Sequence, residues 1–93
     1  MILTPNETKM IRNIAENDYA NGEPDAMVWA DCLDCGPCPL PNPKSHGGVV
    51  ASLIKKGLAE SDCAGWDRGA QKDQTCVWLT DAGLGQWRAI ANG

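Results

Sequence analysis

The sequence contains no phenylalanine, one tyrosine and one histidine. A single histidine with no fixed serine or cysteine partner removes the usual arrangements of nucleophilic catalysis. No glycine-rich phosphate loop and no paired carboxylates supply another chemistry, so no enzyme is expected. No run of about 18 apolar residues occurs, which excludes a transmembrane helix. Residues 1–7 lack a basic stretch leading into an apolar one, so no secretory signal is expected and the chain is assigned to the cytoplasm. There its five cysteines are expected to be reduced or metal-bound rather than paired. Surplus positive charge is also missing: the net charge of −4 is unlike that of a general nucleic-acid binder. With 93 residues the chain is read as one domain, 1–93, around a small core.

What charge there is divides along the chain. Residues 1–43 hold seven acids (Glu7, Glu16, Asp18, Glu23, Asp25, Asp31, Asp34) and two bases. Residues 44–72 hold Lys44, Lys55, Lys56, Arg68 and Lys72 against Glu60, Asp62 and Asp67. The positive charge therefore occupies one block, read either as a solvated mixed surface or as a binding face.

Thr4-Pro5-Asn6-Glu7 is a helix start: Thr4 accepts a first-turn N–H, Pro5 suits the first position and Glu7 completes a capping box. Met10, Ile11, Ile14 and Ala15 continue it at helical spacing, giving a helix over 5–19 that ends at Asn21-Gly22-Glu23-Pro24. Residues 25–35 fit a short helix or a strand at Met27-Val28-Trp29, and the helix is preferred. Four prolines in 36–43 exclude regular structure there. Over 44–58 the apolar positions 49, 50, 53 and 54 form a helical stripe. Lys55 and Lys56 complement its last turn, Gly57 supplies a left-handed exit, and Leu58 packs back. Alternation over 75–79 predicts a strand, and 58–63 is read as its partner, the two joined by a polar tip at 64–74. Thr80-Asp81 then caps a last helix carrying Leu84, Trp87 and Ile90. The expected core comprises Leu3, Ile11, Ile14, Leu33, Val49, Leu53, Ile54, Leu58, Val77, Leu79, Leu84 and Trp87.

The run from Gly48 to Glu60, GVVASLIKKGLAE, resembles the recognition helix and exit of winged-helix proteins. The later VWLTDAGL, residues 77–84, resembles the end of the wing and start of the last helix in MarR-like regulators. Together the two motifs also resemble small uncharacterised proteins of phages and mobile elements. The resemblance covers most of residues 3–91. It implies an α+β fold, a single winged helix-turn-helix domain of three to four helices plus a β-hairpin wing. It also implies non-enzymatic recognition, in the host-cell cytoplasm if the chain is phage-encoded.

A DNA-binding, transcriptional-regulator-like role is the first function that the resemblance implies. The third helix would enter a major groove with Lys44, Ser45, His46 and Ser52, while Arg68, Gln71 and Lys72 on the wing and Lys55 and Lys56 at the helix end would meet phosphates. Gly47, Gly48 and Ala51 on that face, where such helices present long hydrogen-bonding side chains, weigh against it. A homodimer is left open, although no long terminal helix is evident.

The alternative is a phage-type protein-binding module that engages or inhibits a host protein or defence complex, as anti-CRISPR proteins and nucleic-acid mimics do. Four tryptophans in a chain without phenylalanine favour an interface. Trp78 and Trp87 fall in regular elements and are assigned to the core. Trp66, in the polar hairpin tip, is the candidate anchor, and the acidic block 1–43 is the mimic's feature.

Cys32, Cys35 and Cys38 form C-x2-C-x2-C, and Cys63 and Cys76 lie in the two hairpin strands. Four of these five at most would make a structural zinc site, and free thiols are the plain alternative. Cys35-Gly36-Pro37-Cys38 also resembles the dithiol motif of thioredoxins. That motif starts a helix, whereas Pro39, Pro41 and Pro43 forbid one here, and Asp31 and Asp34 oppose a thiolate. The redox reading is set aside.

Overall fold

The computed structural model describes residues 2–29, 32, 33, 35–38, 40, 46–61 and 76–92. Among them are three α-helices and a three-stranded antiparallel sheet, an α+β arrangement. The order is α1 (Pro5–Ala15), β1 (Val28–Trp29), α2 (His46–Lys55), β2 (Ala59–Ser61), β3 (Cys76–Leu79) and α3 (Asp81–Asn92).

The capping box forms as the sequence requires. Glu7 N–H donates to Thr4 Oγ1 at 3.1 Å, and Thr4 N–H donates to Glu7 Oε1 at 2.8 Å. The helix ends four residues before the expected limit. Asp18 N–H, which would continue the ladder, donates instead to Cys35 O at 2.9 Å. Asn17 Oδ1 takes Tyr19 N–H at 3.0 Å and starts a single 3-10 turn, Asp18–Ala20. An asparagine that bonds its own backbone two residues on competes with the helix and here prevails.

The short helix preferred for residues 25–35 is replaced by β1. Val28 pairs with Val77 and Trp29 with Cys76, so two residues become a strand because β3 offers them a partner. Val28 faces inward and is fully buried. β3 also pairs with β2, Ala59 opposite Leu79, Glu60 opposite Trp78 and Ser61 opposite Val77, giving the sheet order β1-β3-β2.

The exit of α2 follows the sequence. Leu58 N–H reaches Leu53 O at 2.9 Å and Gly57 N–H reaches Ile54 O at 3.0 Å, with Gly57 at φ 74°. Leu58 is buried behind it. The buried stripe is rotated from the expected one: His46, Val50 and Leu53 face the core, and Val49 and Ile54 are half-buried. At α3, Gly83 N–H donates to Thr80 Oγ1 at 3.1 Å, making Thr80 the cap, and Thr80 N–H donates to Leu58 O at 3.1 Å.

α1 packs against α2, α3 and β3. The core holds the expected Ile11, Ile14, Leu33, Leu53, Leu58, Val77 and Leu79, with Met10, Val28, Leu40 and Val50 added. Leu3, Val49, Ile54, Leu84 and Trp87 lie half-buried at its margin. Among the described residues no helix is long and apolar enough to cross a membrane.

Candidate functional site

The side chains expected to read DNA are placed as follows. His46 is buried, 7 % exposed, because it stands one turn before Val50 on the stripe that faces the core. Ser52 Oγ donates to Glu7 Oε2 at 2.6 Å. Lys56 Nζ donates to Glu7 Oε1 at 2.7 Å and to Ile2 O at 3.3 Å. Lys55 alone of the four described candidates is exposed. Lys44, Ser45, Arg68, Gln71, Lys72 and the protein-binding candidate Trp66 lie outside the described residues.

Glu7 is thus the centre of a buried junction between α1 and α2, and is 2 % exposed. Burial pushes its carboxyl up. Bonds from Lys56, Ser52 and Thr4 together with the Lys56 charge outweigh burial and hold it at about 2, against an ordinary 4.5. Glu16 makes a second junction, accepting from Arg12 Nε at 2.9 Å and from Trp87 Nε1 at 3.1 Å. The Arg12 bond lowers its pKa first, burial opposes, and the Trp87 bond lowers it further.

The cysteine segment lies along α1. Asn13 grips Cys38 by both backbone atoms, its Nδ2 donating to Cys38 O at 2.7 Å and its Oδ1 accepting from Cys38 N–H at 2.9 Å. Asn17 Nδ2 donates to Cys32 O at 2.8 Å. Gly36 fits because a Cβ there would stand 2.6 Å from Asn13 Cα. Residues 35–38 are themselves bends. Arg12 Nη1 approaches Cys38 Sγ at 3.5 Å, a cation near the segment that sequence reading did not foresee. Cys32, Cys35, Cys38 and Cys76 are each half-buried, and Cys63 lies outside the described residues. Among the described residues no three histidine, cysteine or acidic side chains gather closely enough to hold a metal.

Replacing Asn13 with alanine leaves the N–H and C=O of Cys38 without their partner and is expected to cost about 2 kcal/mol, read as a lower urea midpoint. Gly36→Ala is expected to cost at least as much, since the atom it meets is helix backbone. Unchanged midpoints for both variants would show that this segment is not held by α1.

The third feature is the outward face of the sheet. Alternation along β3 buries Val77 and Leu79 and turns Cys76 and Trp78 outward. Trp29 opposes Cys76, so it lies diagonally from Trp78 on the same side, and Glu60 stands opposite Trp78. Trp29 is 49 % exposed and Met27, just before β1, is 58 % exposed. Trp78 Nε1–H donates to Glu60 Oε2 at 3.3 Å. Trp78 is therefore not the core residue that its position in a strand predicts. The period-two pattern of Val77 and Leu79 already carried this outcome, because their neighbours had to face the other way. Trp87 does border the core. Beside this face a groove of about 630 Å³ is lined by Asp25, Glu60, Trp78, Thr80, Asp81 and Leu84 among others.

Comparison with protein-family models, curated proteins and solved structures finds no match for the chain.

Proposed function

We propose that this chain is a non-enzymatic recognition domain of winged-helix architecture that binds a protein through the outward face of its sheet. The observation that carries this reading is Trp29, exposed on the same face of the sheet as Trp78, with exposed Met27 just before β1. Exposed apolar groups in one patch, with aromatics among them, mark contact surfaces. The order α1-β1-α2-β2-β3-α3, with β1 added to the β2–β3 hairpin, supports the winged-helix architecture. The likeness of its motifs to those of small phage proteins makes a host protein, such as an enzyme or a defence complex, the partner class.

DNA binding through α2 and the hairpin is the second reading, favoured by the helix-then-hairpin order and by exposed Lys55 at the end of α2. Ser52 and Lys56 are engaged by Glu7 and His46 is buried, so this reading rests chiefly on Lys44, Ser45 and the wing.

Capture from a lysate of the cells that carry the gene, set beside binding to random-sequence duplex DNA, separates the two. Partner capture is expected to fall at least roughly tenfold in Trp29→Ser, the scale of an interface anchor, and to persist in Lys55→Ala. Duplex binding that weakens by orders of magnitude between about 50 and 200 mM salt, and ignores Trp29→Ser, would establish the DNA reading instead.

A further inference from the structure

Among the described residues nine line the groove beside the outward sheet face; three of these, Asp25, Glu60 and Asp81, carry carboxylates and none of the nine is basic. The Trp78 indole borders the same groove, its N–H taken up by Glu60 at 3.3 Å. This combination differs from a purely apolar docking face. It offers an aromatic ring and negative charge side by side, with exposed Trp29 extending the apolar surface on the same face.

We infer that the occupant of this face is a protein segment bearing an arginine, whose guanidinium lies against the Trp78 indole and pairs with Glu60 and the neighbouring Asp25 and Asp81. The inference rests on the protein-binding reading and names its partner chemistry. A guanidinium is planar and weakly hydrated, so it stacks on an indole while its edge donates to carboxylates; an ammonium does only one of these well at a time. A carboxylate already bonded to the indole N–H is held in place for that pairing. Phosphate-bearing partners are repelled by the same three acids. A second copy of this chain, meeting face to face, would bring two sets of these acids together.

The test uses the intact chain and the peptide acetyl-Gly-Arg-Gly-Arg-Gly-amide, with citrulline in place of arginine as the uncharged match. The Trp78 indole N–H resonance, assigned with Trp78→Phe, is followed by NMR. The arginine peptide is expected to move it saturably at about 50 mM salt, where charge pairs are least screened. The citrulline peptide is expected to bind at least roughly tenfold more weakly, the loss of a charge-assisted pair. Glu60→Gln, which can still accept the indole N–H, combined with exposed Asp25→Asn, is expected to weaken the arginine peptide by a similar factor with the circular dichroism unchanged.

Equal binding of the two peptides, or an unmoved Trp78 resonance, would overturn the arginine inference. If Trp29-dependent capture of a partner survives that result, the face is a protein-binding surface with a different occupant. If that capture also fails, the protein-binding reading falls with it. Concentration-dependent self-association in sedimentation, relieved by Trp29→Ser, would replace the arginine partner with a second copy.

Discussion

Replacing Gly83 with alanine is expected to destabilise the fold by about 3 kcal/mol or more, in the range of overpacking that cannot relax. A Cβ at this position would stand 1.9 Å from Leu58 O, 3.0 Å from Leu58 C and 3.2 Å from Leu79 Cβ. The first two are backbone atoms at the exit of α2, and Leu58 O is already the acceptor for Thr80 N–H. A methyl group there would force α3 away from the sheet and break its capping at the same time, because Thr80 Oγ1 also donates to Gly57 O at 2.6 Å. Gly85, one half-turn further along α3, is the control. It has nothing within 4 Å, and Gly85→Ala is expected to raise stability by about 0.5–1 kcal/mol through helix propensity alone. Urea denaturation of both variants reads the contrast. Two small effects of the same sign would mean that α3 does not rest on Leu58.

The second large effect concerns Glu7. Its folded pKa of about 2 lies below the ordinary 4.5, so folding favours the ionised form. The stability gained is fully present above pH 4.5 and is lost as the pH falls from there toward 2. The difference corresponds to about 3 kcal/mol at neutral pH. Glu7→Gln is expected to remove most of this at pH 7 and to flatten the acid side of the stability profile between pH 4.5 and 2. Lys56→Met acts from the other partner: it leaves a carboxylate that is 2 % exposed with only Ser52 and Thr4 as donors. It is expected to cost about 3 kcal/mol at pH 7, as stranded buried charges do. Chemical denaturation at pH 7 and pH 3 measures both. A Glu7→Gln profile parallel to that of the parent across this range would show that the carboxylate does not carry the acid sensitivity.

The Glu7 junction also explains how far the sequence could be read. Thr4-Pro5-Asn6-Glu7 announces a capping box because every partner lies within four residues. The same carboxylate's bond to Lys56 spans 49 positions, and no local pattern encodes it. Lys55-Lys56-Gly57 at a helix end signals dipole complement and exit. The exit formed, while Lys56 turned inward to an acid that only the tertiary fold brings near. The α2 exit and the Thr80 cap are legible for the same reason as the capping box: each is a local signal.

The elements that differed depend on partners elsewhere in the chain. Asn17 stops α1 by bonding its own backbone and Cys32 O, and Asp18 N–H finds Cys35 O, so the helix end is decided by a segment 15 to 17 residues later. β1 is two residues long and exists through β3, so periodicity in 25–35 offers a strand at 27–29 beside a short helix but cannot choose between them. The candidate site divides in the same way. The tryptophan count points to an interface and the polar surroundings of Trp66 point to that residue, whereas Trp29 and Trp78 come to one face only after β1 joins the sheet.

The grip of Asn13 and Asn17 on residues 32–38 is made through peptide groups, not side chains. Every amino acid except proline brings the same N–H and C=O to such a bond. Apart from Gly36, where α1 leaves no room for a Cβ, and Leu33, which is buried in the core, the segment can therefore exchange its side chains without loosening this backbone anchorage. Its route over the surface is dictated by the helix beneath it, which leaves the chemistry displayed along that route open to change.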